Sequence, residues 1–295
     1  MSHRIKKLGL GTVQWGIPYG VANSSGVTKP DVVKEILLKA SFSGVRWLDT
    51  GSLYGDAEMV LGMNSLEEFN VITKTPHFST SKITEVEITQ LRQAFDNSLS
   101  MLSCEKVYGL LVHNAQDILV SGGKEIVLTM RQFKYEGRVD KIGVSVYDTA
   151  QIDEILKVFK PDLIQLPLSV LDQRMLSSGH LEMLKKEGVE IHVRSAFLQG
   201  LLLMSLDEIP EFFKPIKPLL ARWHAAARDQ GLTVNQAALI FVRDIPFVDK
   251  VVIGVNSLEQ FNSCVEDFST EASFDSVGLG CDNPLYINPS LWEIQ

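Results

Sequence analysis

The chain has 295 residues, 45% of them hydrophobic, enough for one large core, and barrels of alternating strands and helices of this size fold as a single unit. Its 28 basic and 36 acidic residues give a formal net charge of −8. Such a chain offers no general field for a polyanion, which argues against nucleic acid as a partner, while one basic cleft for a small phosphorylated ligand stays compatible with it.

Along the chain, short runs rich in Val, Ile and Leu alternate with longer segments of helical spacing, the rhythm of a parallel sheet with crossover helices. A first strand is expected over 8–12, followed by a polar loop and a helix over 29–42. That helix has Thr28 and Pro30 as start signals, Val33, Ile36, Leu37 and Ala40 on one face, and Gly44 as its stop. Further strands are expected over 45–50, 70–74, 107–113, 141–146, 163–167, 189–195 and 250–254, with helices over 85–102, 123–136, 149–159, 179–187, 219–230, 234–241 and 258–266. Eight strands suggest an α/β fold, a closed (β/α)8 TIM barrel forming a single domain over 1–295, with a tail from about 269 reaching the barrel mouth. Periodicity alone leaves an open, doubly wound sheet as the alternative.

In a closed barrel the chemistry gathers where the strands end. Asp49 ends the second strand, Lys74 the third, His113 the fourth and Ser145 the fifth, with Gln165 in the sixth and Ser195 closing the seventh. Taken singly, Asp49 is a helix cap, Lys74 a solvated amine, Tyr54 a packing ring and His113 a loop residue. Polar residues at three successive strand ends are much harder to attribute to accident.

The run Asp49-Thr50-Gly51-Ser52-Leu53-Tyr54-Gly55-Asp56-Ala57-Glu58, ending in Leu61-Gly62, resembles the D-T-x-x-x-Y-G-x-x-E-x-x-L-G signature of aldo-keto reductases. Ile72-Thr73-Lys74, Leu110-Leu111-Val112-His113 and the run from Gly137 to Ser145 follow in the family's order, so the resemblance extends from Leu8 to about Phe268. It implies a metal-free oxidoreductase passing hydride between NADH or NADPH and a carbonyl, with Asp49, Tyr54, Lys74 and His113 catalytic. The residues supply a reason. A carbonyl that accepts hydride develops alkoxide charge, so a proton donor is needed at its oxygen. A phenol of pKa roughly 10 holds its proton tightly. Lys74 is therefore expected to lower the pKa of Tyr54, with Asp49 keeping Lys74 charged and His113 hydrogen-bonding the substrate oxygen or assisting the proton transfer.

No G-x-G-x-x-G follows a strand, so a Rossmann domain is not supported. The resemblance implies instead that Ser145 and Gln165 hold the nicotinamide carboxamide, that Gly11 and Thr12 lie near the reactive ring, and that Ser195, Leu198 and Gly200 cover the pyrophosphate. Gly254, Asn256, Ser257 and Gln260 fall in the adenosine-phosphate segment. Val146 stands where relatives commonly have Asn, and Arg194 where many have an aromatic ring that stacks on nicotinamide; Arg194 could stack there or bind a substrate anion. NADP-preferring relatives often carry Lys and Arg where this chain has Gly254 and Gln260, so NAD is compatible, and NADP stays open if Arg222, Arg228 or Arg243 folds nearby.

Trp15, Tyr19 and Phe197 are candidate substrate contacts beside Tyr54 and His113, and Tyr286 and Trp292 in the tail close an apolar pocket or pack on the rim. A sugar or nucleotide-sugar carbonyl is the first expectation and a generic aldehyde the second. Two other functions remain open: a nucleotide-binding regulatory subunit on the same fold, and a barrel lyase or isomerase forming a Schiff base on Lys74. Cys104, Cys264 and Cys281 lack C-x-x-C spacing and suit reduced thiols, with no metal site. Residues 1–10 hold no apolar run of signal-peptide length and nothing approaches the roughly 18 apolar residues of a membrane span, so no membrane partner and a cytoplasmic location are expected.

Overall fold

A computed structural model of the chain describes residues 3–292. Eight strands, β1 (Leu8–Gly11), β2 (Trp47–Asp49), β3 (Asn70–Lys74), β4 (Val107–Val112), β5 (Val139–Ser145), β6 (Leu163–Pro167), β7 (Glu190–Arg194) and β8 (Lys250–Gly254), run parallel in chain order. β8 pairs back onto β1, Leu8 with Val251 through Gly11 with Gly254, and this pairing excludes the open sheet. The strands of expected span 70–74, 163–167 and 250–254 are found unchanged, whereas β5 begins two residues early because Val139 pairs with Val107 of β4.

The alternation of side chains along each strand sorts the barrel into two apolar regions. Leu8, Leu10, Leu48, Val71, Leu110, Val112, Ile164, Leu166, Ile191 and Val193 belong to the large core shared with the surrounding helices. Ile72, Leu111 and Leu163 form a separate cluster with Trp47 and Tyr108, the plug of the barrel interior. The plug is narrow. A side chain at Gly143 would place its Cβ 1.8 Å from the carbonyl oxygen of Leu163, so only glycine lets β5 and β6 approach this closely.

The main helices, Pro30–Ser43, Glu85–Met101, Lys124–Tyr135, Thr149–Val158, His180–Lys186, Lys217–Asp229, Val234–Asp244 and Leu258–Ser269, match the expected ones within a few residues at each end. Two are opened by reciprocal caps: Thr84 with Glu87, and Thr233 with Gln236. Short elements too brief to show periodicity were not anticipated. Among them, the helix Ala57–Gly62 follows Tyr54 directly, and 3-10 turns at Leu198–Leu203 and Glu211–Ile216 occupy the long connection after β7. The tail folds against that connection, Tyr286 on Phe212 with ring centroids 6.0 Å apart and Trp292 on Phe213 at 4.8 Å. Among the described residues no helix is long and apolar enough to cross a membrane.

Candidate active site

β2 and β3 end side by side, which brings Asp49 and Lys74 together at the barrel mouth. Lys74 is 2% exposed, and its Nζ donates to Asp49 Oδ2 at 2.7 Å and to the Thr50 carbonyl at 2.7 Å. The other carboxylate oxygen of Asp49 accepts from Gln165 Nε2 at 2.7 Å, so both oxygens are engaged. Burial by itself would strip the Lys74 proton, but the Asp49 carboxylate and the neighbouring Tyr54 oxygen outweigh it and raise the ammonium's pKa above its ordinary value.

Tyr54 is carried by a turn in which its N–H donates to the Gly51 carbonyl. The turn is pinned by the buried Glu58, whose carboxylate accepts from Thr73 Oγ beside Lys74, so the acidic residue of the D-T-x-x-x-Y-G-x-x-E run fixes the loop that carries the phenol. Lys74 Nζ lies 4.8 Å from the centre of the Tyr54 ring, and the His113 ring meets Tyr54 edge-on at 5.7 Å. Here one expectation is corrected. Burial pushes the Tyr54 pKa upward, and the opposing charge of Lys74 reduces that rise without reversing it, so the phenol keeps its proton. The desolvation of the completed pocket exceeds the effect of the single cation.

The imidazole of His113 is pushed down to about 2 by burial first, then by the charges of Lys74, His77 and Arg194. It is therefore neutral near pH 7, and its Nδ1 is buried with no hydrogen-bond partner among the described residues. His77, which the sequence reading missed, packs edge-on against His113 at 4.4 Å from the exposed loop after β3. Its signal was position alone, three residues past the strand end at Lys74.

Ser145 and Gln165 are register neighbours on β5 and β6, both buried at the mouth. With Gln165 Nε2 committed to Asp49, its Oε1 is left as an acceptor. Arg194 lies over the Tyr147 ring at 4.3 Å, and its Nη2 donates to the Val146 carbonyl at 3.0 Å. Ser195, Leu198 and Gln199 adopt positive φ of 64°, 49° and 55°, and Gly200 has φ 92°. That strained loop reaches over to the β1 connection, where Gln199 Nε2 donates to the Tyr19 hydroxyl at 3.0 Å. Phe197, on the same loop, is half-buried.

Other expected contacts are placed differently. Trp15 is 1% exposed, and its indole N–H donates to the Val255 carbonyl at 3.0 Å, which makes it a packing residue beneath the rim instead of a substrate wall. Leu198 is fully buried in the core, so only its backbone can border a ligand. Thr12 is also buried, its hydroxyl donating to the Asp49 carbonyl at 3.1 Å, next to Gly11 at the end of β1. Gly254 is covered by the Gln14 amide, 2.1 Å from where a Cβ would lie. Ser257 caps the helix Leu258–Ser269 by accepting from the Gln260 N–H, and Gln260 Oε1 accepts from the Asn256 N–H at 2.8 Å. Arg243 is buried and donates to the carbonyls of Phe268, Thr270 and Ala272, while Arg228 pairs with Asp229. Arg243 closes the helix that leads into β8, at the opposite face of the barrel from the adenosine segment.

The mouth of this closed parallel barrel thus joins a phenol, an ammonium–carboxylate pair and an imidazole, the groups that proton exchange at an oxygen can use. Residues 7–278 match the Aldo/keto reductase family, and the chain belongs to that family. It is 23% identical over 289 residues to the NADH-specific methylglyoxal reductase of Escherichia coli (strain K12), covering 87% of each chain. Among solved structures, it resembles an aldo-keto reductase from Bacillus halodurans in its holo form (TM-score 0.71, 20% identity, 92% and 88% of the two chains covered). It also resembles a glycerol dehydrogenase from Gluconobacter oxydans (TM-score 0.70, 20% identity, 91% and 88% covered). Family membership brings the family's general chemistry, NAD(P)H-dependent carbonyl reduction.

Proposed function

We propose that the protein reduces a small carbonyl compound to an alcohol with Tyr54 as the proton donor. The observation that carries this reading is the buried relay Gln165–Asp49–Lys74 set against the Tyr54 ring. A bound nicotinamide supplies the hydride. Tyr54 gives its proton to the oxygen as alkoxide charge develops there, and Lys74 stabilises the phenolate that remains. Asp49 holds Lys74 in place and keeps it charged. His113, being neutral, orients the carbonyl oxygen through a hydrogen bond and does not compete as an acid. Burial keeps Tyr54 in the protonated form that reduction consumes, and the Lys74 charge, opposing the rise that burial causes, eases the loss of that proton.

The mouth has polar groups that fit a nicotinamide nucleotide. Ser145 and the free Oε1 of Gln165 suit the carboxamide, and Gln14 Oε1 and Asn256 Oδ1, both buried without hydrogen-bond partners among the described residues, are acceptors that ribose hydroxyls would satisfy. The segment from Gly254 to Gln260 holds no basic residue to match a 2′-phosphate, and Arg243 is committed to backbone carbonyls. NADH is the cofactor this end of the site favours, in keeping with the NADH-specific relative. A Schiff base on Lys74 requires an unprotonated amine, and Asp49 maintains the opposite.

The test is titration of the purified protein with NADH and NADPH by fluorescence, followed by a screen of aldehydes and sugars for oxidation of the reduced cofactor. Tyr54→Phe is expected to bind cofactor normally and to lose about 10²- to 10⁴-fold in turnover. A Tyr54→Phe enzyme with nearly normal turnover would rule out the phenol as donor. Cofactor binding with no turnover of any carbonyl by the wild type would favour the regulatory-subunit reading.

A further inference from the structure

One guanidinium at the mouth has no counter-charge among the described residues. Lys74 is neutralised by Asp49, but Arg194 has no carboxylate partner among the described residues; its guanidinium lies over the Tyr147 ring and donates to the Val146 carbonyl and, at 3.5 Å, to Ser195 Oγ. The other arginines without an ion pair among the described residues, Arg92, Arg131 and Arg222, are exposed, whereas Arg194 is half-buried at the end of β7. Water there screens less, and a guanidinium held by one face and one edge presents its remaining N–H donors in a fixed fork. Arg194 ends β7 on the same side of the closed barrel where Asp49 ends β2 and Lys74 ends β3, so the fork faces the mouth that holds the proton donor.

We propose that Arg194 is the specificity-determining residue for an anionic substrate, a short carbonyl compound bearing a carboxylate or phosphate a few bonds from the carbonyl. This rests on the reductase reading above. The stacked guanidinium pairs with two oxygens of the anion while Tyr54 and His113 take the carbonyl oxygen, so the substrate is fixed at both ends.

The test compares charged and neutral partners, 4-oxobutanoate with butanal and glyceraldehyde 3-phosphate with glyceraldehyde, in wild type, Arg194→Gln and Arg194→Lys. The wild type is expected to favour at least one charged member by tenfold or more in kcat/KM, and the pair that does so identifies carboxylate or phosphate. Arg194→Gln should cut that ratio by about tenfold to a hundredfold, mainly through KM of the charged member, and Arg194→Lys should retain part of it. A wild-type ratio near one for both pairs, or an unchanged ratio in Arg194→Gln, overturns the proposal. A raised dissociation constant for NADH with the ratio unchanged assigns Arg194 to the cofactor instead. Should Arg194→Gln fail to show a cooperative melt, Arg194→Lys and competitive inhibition of the wild type by succinate and inorganic phosphate decide, and absence of both inhibitions counts against it. If no carbonyl is reduced at all, the reductase reading falls. Calorimetric binding of succinate or inorganic phosphate to the wild type in the presence of NADH, lost in Arg194→Gln, would then still support the anion site, and equal binding by both would reject it.

Discussion

The most exposed point of this account is the dependence of Lys74 on Asp49, and Asp49→Asn tests it. The two side chains are 1% and 8% exposed and meet at 2.7 Å. At that separation a unit charge pair is worth about 6 kcal/mol with an effective dielectric of roughly 20, and the desolvation of the lost carboxylate gives part of this back, leaving about 3–5 kcal/mol. Geometry points the same way. The carboxylate accepts from Lys74 on one oxygen and from Gln165 on the other, whereas an amide offers one oxygen and one N–H₂, so in either orientation one donor faces a donor. Urea unfolding at pH 7 reads the loss, and for a chain of this length it corresponds to a fall in Tm of about 5–8 °C. In the wild type the raised Lys74 pKa gives a contribution fully present below the unfolded lysine value of roughly 10.4 and lost above it. In Asp49→Asn the Lys74 pKa falls below the unfolded value, so the deficit should shrink as pH rises from about 7 towards 10. Adding Lys74→Met removes the stranded charge and should recover about 2 kcal/mol or more. Asp49→Asn within about 1 kcal/mol of wild type, or a double variant no more stable than the single one, would refute the counter-charge role.

Three further outcomes are expected. His113, neutral down to about pH 2, should contribute no ionisation near pH 6.5 to kcat/KM; because the unfolded imidazole protonates first, its burial should also erode stability as pH falls below about 6.5, an effect missing in His113→Gln. A rate limb between pH 6 and 7 that disappears in His113→Gln would contradict the first part. On the barrel floor, Glu190 accepts from the Tyr108 hydroxyl and His192 Nε2, both at 2.6 Å, and pairs with Lys141, which with its other partners holds its carboxyl down at about 2 against burial. Glu190→Gln should cost about 2–3 kcal/mol at pH 7 by chemical denaturation, and since a depressed carboxyl stabilises above its unfolded pKa and loses that on the way down, the gap from wild type should narrow below about pH 4.5. A gap that stays constant with pH would show the effect to be packing alone. Gly200→Ala puts a Cβ 2.6 Å from that of Ala22 at a φ of 92°, so about 1–3 kcal/mol of stability and several-fold in NADH affinity should be lost. Wild-type values of both would mean that the loop has no part in holding the cofactor.

The readable parts of the molecule are those governed by alternation and register. Once eight apolar runs are taken as parallel strands, the residues at their C-terminal ends must share a mouth, and Asp49, Lys74, His113, Ser145 and Gln165 do so because β2 to β6 are neighbours in chain order. What escaped depends on long-range closure. Trp15 looks like a pocket ring from its place after β1, yet its indole finds a carbonyl at Val255, 240 residues away, and no local pattern announces that. The rise in the Tyr54 pKa is likewise a property of the assembled pocket, since desolvation has no value until the walls are present. Arg243 is a different case. It closes the helix leading into β8, and a helix that precedes a parallel strand must end at the strand's N-terminal side, so its distance from the adenosine segment was available from element order.

The two ends of the barrel handle charge in opposite ways, and the contrast explains why one is a site and the other a support. On the floor a carboxylate, Glu190, is surrounded by donors from β4, β5 and β7 and is left with nothing to offer. At the mouth the carboxylate of Asp49 is committed to Lys74 and Gln165, and Arg194 stays without an anion among the described residues. A carboxylate closed in by its own donors ties strands together, whereas a cation left without a counter-charge can take one from a ligand. The interior-facing positions of a single sheet thus carry both tasks, and the end where a cation stays unpaired is the one open to a charged ligand.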